Sequence, residues 1–580
     1  MTKITAIELE NFQSIERRTR IDLKPITLLF GPNSAGKSSV FDALELLRVL
    51  LDPTEFNEER AADMVDRWAR RKGEDPVRQT FLAIEFPFEF KEVPEIWQDD
   101  SNWQGISQRS TDAEFYLSPG DTVEYNELEG KIVRIELQLE VINRIESTVC
   151  RLSEFRCVLN ERPILTITKT HPNELEDSID VRENNLNDEC HRWLTIYNDF
   201  DFVNNSLIRD FQNLKEGEIR DVVWMRNDSE ERVQAAVVSF SLSPRKLIYD
   251  TWIEQGGVDD SPQRICRNAS DVIFYFGTLL YKSMRGQPGI VLSDRRAPKP
   301  NEALAIVDLG LTGWWSRHSF SPSSPASLLK SVSANLDEHY QGLAEIAHAD
   351  LLLRTANDAF WGGPHAVENI EPVRNRALTL ERVNHHLEKN LFTEKLYKLS
   401  CAATLMVPID LNEADAVGYY ALAQPAAVRL FLQDGDGQKV ELQDVGSGIP
   451  FVLPILYAVA LQGFVKIQQP ELHLHPALQS SIADVFVEEL NRSGAGQFII
   501  ETHSEHILLR LLRRIRDTER GKFLSKDMKL TNKEIGIYYF DSQVTGGTIV
   551  TQQLVTPLGD FYTDWPRGFF AERNRDLFDE

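Results

Sequence analysis

Polar and apolar positions alternate through the first thirty residues. Ile4, Ile7 and Leu9 precede Asn11-Phe12, Ile21-Asp22-Leu23 follows, and the stretch closes on the apolar run Ile26–Phe30. Such a pattern predicts strands. Beyond a glycine-containing turn the spacing changes, and Val40, Leu44, Leu46, Leu47, Val49 and Leu50 form a stripe at helical period. Strand, glycine loop and helix is the order of a nucleotide fold. Strand patterns return at Phe81–Phe90 and Ile132–Val141. Asp177–Arg264 is charged and poor in turn signals, which predicts a largely helical stretch, and helical text continues at Val272–Met284 and Leu328–Leu399. From Val407 the chain alternates again: Ala427–Gln433, a turn at Asp434–Gly437 and Val440–Leu442 predict a hairpin. A strand-loop-helix series then runs to about Arg516.

Four segments on this frame carry candidate chemistry. Gly31-Pro32-Asn33-Ser34-Ala35-Gly36-Lys37-Ser38 matches the phosphate-loop pattern, with Ser39 at the helix start. The glycines let backbone N–H groups turn toward the α- and β-phosphates of ATP, Lys37 reaches the β/γ oxygens, and Ser38 ligates Mg²⁺. The helix that starts there adds its positive end to the anion site. Asp444-Val445-Gly446-Ser447-Gly448 opens a second apolar helix, and small residues there can bring N–H groups against a γ-phosphate. The strand Phe464–Gln468 leads into Gln469-Pro470-Glu471 and His473-Leu474-His475-Pro476. An NTPase normally ends this strand in one acid for the Mg²⁺ shell and another that orients water. The run Phe498–Ile500 leads through Glu501-Thr502 to His503, placed to reach a γ-phosphate.

The order of these segments resembles ABC-type ATPases, and the long stretch between the first two resembles the SMC-like and RecF-like branch. Asn11-Phe12, Asp294-Arg295-Arg296-Ala297-Pro298, the Gly446–Gly448 segment, Gln469–Pro476 and Glu501–His506 together resemble AAA-type ATPases related to the OLD family. Trp565-Pro566-Arg567-Gly568-Phe569-Phe570 looks like the C-terminal segment of one subgroup. Relatives of this kind include ATPase subunits of anti-phage systems such as Septu and Gabija.

The resemblance implies an α/β head of mixed β-sheets with flanking helices. Residues 1–100 and 406–580 would form the head, 101–290 a largely helical, partly β insertion, and 291–405 a helical region leading back. It also implies a head-to-head dimer, or a larger homo-oligomer, around ATP and Mg²⁺, with Gly446, Ser447 and Gly448 completing the partner's site. Catalytic positions fall on Gln468, Gln469, Glu471 and His503, and metal positions on Ser38 and Gln468. Two departures matter. The family begins its third motif with acids, whereas Gln468 and Gln469 are amides, which neither carry charge nor accept a proton. Pro450-Phe451 replaces the Ser-Gln usual in relatives. ATP binding with slow or absent hydrolysis is therefore expected, unless Glu471 substitutes for the missing acid. OLD nucleases carry a Toprim domain after the head. Only 77 residues follow His503 here (580 − 503), so nuclease activity is expected from a partner.

Composition narrows the partners. The net charge of −26 argues against a protein that coats nucleic acid, leaving at most a local DNA contact. Arg510, Arg513, Arg514 and Arg516 read either as a solvated helix face or as such a contact. His473 and His475 read as a loop crossing the dimer interface or as a metal pair. Five scattered cysteines without a CxxC pair, and no apolar run long enough to span a bilayer, lead to an expectation of a cytoplasmic protein away from membranes. Three functions follow: an ATP-binding subunit controlling an effector such as an HNH-type or other nuclease, an ATPase remodelling DNA in repair, or a scaffold whose ATP never turns over.

Overall fold

The structure is a computed structural model. It describes residues 3–51, 58–70, 77–87, 132–143, 148–159, 161–170, 178–183, 221–226, 232–239, 248–250, 304–307, 338–355, 366–405, 426–563 and 565, apart from 443, 447, 462, 494–495, 524 and 544–546. In chain order the strands are β1 (Ala6–Glu10), β2 (Thr19–Asp22), β3 (Ile26–Phe30), β4 (Val77–Pro87), β5 (Ile132–Asn143), β6 (Thr148–Leu159) and β7 (Arg162–Thr170). There follow β8 (Ser178–Glu183), β9 (Asp221–Arg226), β10 (Arg232–Ser239), β11 (Ile248–Asp250), β12 (Leu304–Val307), β13 (Lys398–Leu405), β14 (Ala426–Gln433) and β15 (Lys439–Glu441). The last four are β16 (Phe464–Gln468), β17 (Gln497–Glu501), β18 (Ile535–Ser542) and β19 (Thr548–Gln552). The longer helices are α1 (Ser39–Leu50), α2 (Glu58–Trp68), α3 (Glu338–Thr355), α4 (Ala366–His386), α5 (Gly448–Leu461), α6 (Pro476–Ser493) and α7 (Glu505–Glu519).

The chain divides into two compact units, each assembled from separated segments. The first comprises Met1–Leu23, Asn33–Arg285 and Phe540–Val550. It carries a ten-stranded sheet in the order β11-β10-β9-β8-β7-β6-β5-β4-β1-β2, antiparallel throughout except for the parallel pair β8/β9. Period two sorts its faces at β1, β4 and β5. Ile7, Leu82, Ile84, Val133, Ile135 and Leu137 are buried, while Glu8, Arg20, Glu85 and Arg134 form a net of ion pairs across neighbouring strands. The Glu85 carboxyl lies below its usual range, held there first by the hydrogen bonds from Arg20.

Within Asp177–Arg264, read as largely helical, the described residues are instead the strands β8 to β11, and the remainder lies outside the described residues. All the described elements of 101–290 are strands as well. Ile179 and Val181 alternate with polar residues, and Val222-Val223-Trp224 and Val233 favour a pleated surface over a helix. The charge content masked that alternation. Val272–Met284 and Asp294–Pro298 lie outside the described residues.

The second unit comprises Lys24–Pro32, Gly286–Tyr539 and Thr551–Glu580. Its main sheet runs β16-β17-β3-β18-β19, with β16, β17, β3 and β18 mutually parallel. A smaller antiparallel sheet, β12-β14-β13 with β15 on β14, contains the expected hairpin. One apolar core joins Leu28, Ile467, Ile500 and Ile537 of the parallel sheet to Leu343, Val383, Val452, Phe486 and Leu511 of the helices and Val428 of the smaller sheet. Buried parallel strands read as continuous apolar runs, which is why Ile26–Phe30 and Phe498–Ile500 stand out in the sequence. Side chains alternate, so the opposite face carries the cross-strand row Gln468–Glu501–Leu29–Tyr538.

The far end of α6 is fastened to α4. His385 Nε2 lies 2.7 Å from Glu488 Oε1, and His386 Nε2 lies 2.8 Å from Glu489 Oε1. Asn390, in the π-helical turn Leu387–Leu391, donates to Glu488 Oε2 at 2.9 Å. Two described thiols are deactivated by burial, which pushes Cys401 up to about 12 and Cys150 up to about 11. Among the described residues no helix is long and apolar enough to cross a membrane.

Candidate nucleotide site

The chain passes from one unit to the other inside the phosphate loop, between Pro32 and Asn33. Its second part is braced within the first unit. Thr548 Oγ1 donates to Ala35 O at 2.8 Å, and Thr548 N donates to Ser14 O at 2.8 Å. Gly36 has φ +87°, and a Cβ there would sit 1.8 Å from Ser14 Oγ, so only glycine fits. Ser39 Oγ donates to Gln13 Oε1 at 2.6 Å, while Gln13 Nε2 donates to Asp42 Oδ2 at 2.6 Å. Gln13 thereby pins the first turn of α1, and the Ser39 side chain is spent on that bond. Ser34 stands exposed with φ +61°, whereas Ala35 and Lys37 are buried. Ser38 caps α1 without using its hydroxyl on the helix backbone. The sequence singled out the loop but not Gln13, Ser14 or Thr548. Only the adjacent Asn11-Phe12 hinted at the first two.

The remaining candidates belong to the second unit. Gln468 ends β16 and donates through Nε2 to Glu501 Oε2 at 3.3 Å. Gln469 turns sharply away with φ +47°, and its N–H donates to Glu501 O at 2.7 Å. Glu471 bridges to the next strand end: Oε2 accepts from Thr502 Oγ1 at 2.7 Å, and Oε1 from His503 N at 2.8 Å. Gln468, Glu471, Glu501 and His503 therefore meet at the carboxyl edge of the parallel sheet, where open α/β sheets bind ligands. The sequence places Glu501 at the head of the Glu501–His506 motif without assigning it a role; it closes an otherwise apolar strand and is buried at 4% exposure.

The small-residue segment is packed in part and open in part. A Cβ on Gly448 would come within 3.0 Å of His473 O, so that glycine admits the Leu472–His475 turn. A Cβ on Gly446 would meet nothing within 4 Å. Ser447 lies outside the described residues. His473 and His475 do not converge: the His473 ring lies 4.2 Å from Phe451, and His475 Nδ1 accepts from Ala477 N at 3.3 Å at the start of α6.

Two of the arginines are used internally. Arg510 and Arg514 of α7 both clasp Asp484 of α6, with Arg514 Nε at 2.7 Å from Oδ1 and Arg510 Nη2 at 2.6 Å from Oδ2. Arg516 reaches Leu558 O and Asp560, and Arg513 pairs with Asp517. The expected solvated face or nucleic-acid contact is corrected for Arg510 and Arg514, because their guanidinium groups are committed to a buried carboxylate.

Two known families match parts of the chain. Residues 2–220 match the family described as AAA ATPase domain, and residues 308–509 match that described as AAA domain, putative AbiEii toxin, Type IV TA system. Two separate stretches of the chain are thus each similar to an AAA-type ATPase domain. The second match contains the carboxyl-edge residues Gln468 to His503, and the first contains the whole phosphate loop. No curated protein matches the sequence. Among solved structures, the Smc head bound to the C-winged helix domain of ScpA is 12% identical, covering 95% of this chain and 98% of that one, at a TM-score of 0.36. The Smc head with extended coiled coil from Pyrococcus furiosus is 11% identical, covering 95% and 97%, at 0.34. The SMC head domain from Thermotoga maritima is 10% identical, covering 95% and 98%, at 0.29.

Proposed function

We propose that this ATPase is a slow, ATP-held switch: two heads close on ATP and Mg²⁺ and control a separate effector, a nuclease of HNH or other type, in bacterial anti-phage defence. The observation that carries the slow step is the amide pair Gln468-Gln469 at the end of β16, in a chain whose phosphate-loop sequence Gly31–Ser38 is intact. Amides can hydrogen-bond a metal-bound water but cannot accept its proton, and loss of a general base costs about 10²–10⁴-fold in rate. In this reading Gly31 to Ser39 hold the phosphates, Ser38 offers its oxygen to Mg²⁺, and His503 addresses the γ-phosphate. Hydroxyl and carboxylate oxygens suit that hard cation, whose contribution is to neutralise charge on the β- and γ-oxygens. Residues 1–100 and 406–580 supply these groups, with 101–290 as the insertion. Gly446, open where Gly448 is packed, supports a second subunit's nucleotide meeting the segment Gly446–Gly448. The defence setting rests on family analogy, including the toxin–antitoxin system in the description of the family that residues 308–509 match. Internal use of Arg510 and Arg514, with a net charge of −26, disfavours a DNA-remodelling motor.

Two measurements test the reading. Single-turnover phosphate release should run well below the ~1–100 s⁻¹ of kinases, and mass measurement should show association promoted by ATP. Release within that range refutes the slow switch. An assembly unchanged by ATP refutes the shared site.

A further inference from the structure

We propose a transition-metal site inside the second unit: His385 and His386 of α4 and Glu488 of α6 hold a divalent ion of the zinc class, which ties the two helices together. The proposal is independent of the nucleotide reading.

The ligand set is the first support. One ring nitrogen of each histidine and one carboxylate oxygen of Glu488 all lie within 4.8 Å of one another. His386 Nδ1 is 3.9 Å from Glu488 Oε2. Ligands held about 2.0–2.2 Å from a tetrahedral zinc stand roughly 3.4 Å apart, so modest side-chain rotation closes the set. Two imidazoles with one carboxylate suit Zn²⁺ and its neighbours, whereas Mg²⁺ and Ca²⁺ take oxygen ligands. His385 is 39% exposed, which gives an ion a way in from solvent.

Buried charge is the second support. Glu489 is fully buried, and among the described residues its Oε2 has no hydrogen-bond partner. Arg492 offsets one of the two carboxylates, standing 2.8 Å from Glu488 Oε1 and 3.1 Å from Glu489 Oε1. With both imidazoles neutral, the cluster keeps one net negative charge where burying charge is expensive. A cation bound there offsets it.

The shell around the ligands is the third. Glu489 Oε1 lies 2.8 Å from His386 Nε2. A carboxylate that accepts the Nε2 proton fixes the tautomer and leaves the Nδ1 lone pair for a metal, as second-shell acids do for zinc-bound histidines. Glu489 is therefore a positioning residue. Asn390, in the π-helical turn Leu387–Leu391, places Nδ2 at 2.8 Å from that Nδ1 and 2.9 Å from Glu488 Oε2. Its amide marks the space between two ligand atoms, and turns of this kind recur at functional sites.

The test titrates Zn²⁺ into the full-length chain by calorimetry, with the protein nucleotide-free, without a histidine tag and stripped with EDTA. Zinc bound at this site is expected to raise the melting temperature, because it binds the folded chain. His385→Gln removes a ligand at a half-exposed position, and should lower the affinity by about 100-fold or more. Glu489→Gln alters only the positioning carboxylate, and should cost about 10–100-fold. Melts without metal show that each variant folds, and one folded variant suffices. The proposal is overturned if Zn²⁺ does not stabilise the unmodified chain. It is equally overturned if a folded variant binds Zn²⁺ as tightly as the unmodified chain, which leaves the cluster as a latch of hydrogen bonds alone.

Discussion

Lys37→Ala is expected to abolish measurable ATP binding. Lys37 closes the phosphate loop and is buried, so its ammonium acts where the dielectric is low and its attraction for phosphate oxygens exceeds that of a surface lysine. A charge-assisted hydrogen bond contributes about 1.5–3 kcal/mol, and the upper end corresponds to roughly 100-fold in affinity. Two braces on the loop use other side chains: Thr548 holds Ala35, and Gln13 holds Ser39. The variant should therefore keep the loop while losing the ligand. Isothermal titration with ATP, beside a thermal melt in its absence, separates the two. An unchanged dissociation constant would remove the phosphate-loop assignment, and with it the proposed switch.

Asp484→Ala should strongly destabilise the second unit. Asp484 is buried on α6 and accepts bonds from both Arg510 and Arg514 of α7, and Arg514 is only 3% exposed. Removing the carboxylate strands a buried guanidinium, with Asp517 at 3.8 Å as its remaining acid. Breaking a buried pair from one side costs about 3–5 kcal/mol, and the residual partner places this case near ~3 kcal/mol. Substituting both sides, Asp484→Leu with Arg514→Met, should recover much of that loss, because no uncompensated charge then stays buried. Burial alone would push the Asp484 carboxyl up, but the bonds from Arg514 and Arg510 outweigh it and hold the carboxyl below its usual range. A depressed folded-state value contributes stability above the ordinary aspartate pKa of about 3.9. That contribution is lost as pH falls through the folded value. The gap between the unmodified chain and Asp484→Ala should accordingly be full at neutral pH and narrow below about pH 4. Melting curves at pH 7 and pH 3.5 measure it. Equal melting temperatures at pH 7 would show that the clasp contributes nothing.

This clasp shows where the sequence stops being informative. The arginines of α7 stand out in the sequence and read as one face of a helix. Their partner lies 30 residues upstream of Arg514 on another helix, and no local pattern connects the two. The strands β8 to β11 were missed for a different reason. Strands with charged residues on one face and few turn residues resemble solvated helix when period two is broken by short elements, and β8 to β11 have 3 to 8 residues each.

What the sequence determined by itself is local. The loop Gly31–Ser38 follows an apolar strand and opens an amphipathic helix, and strand, turn and helix signals of that kind act within about ten residues. The same holds for β16, β17 and the hairpin of β14 and β15, because strands buried on both faces and tight turns show in contiguous text. The amides at 468 and 469 could be read as a departure from that text alone. Only the tertiary structure showed what surrounds them. Parallel pairing set β17 between β16 and β3, bringing Glu501 beside Gln468 across 33 positions of chain, and Glu471 onto the backbone of His503. Thr548 reached the phosphate loop across 513 positions. Contacts of that separation depend on sheet order and register, which arise from packing the whole core and leave no periodic trace in the chain.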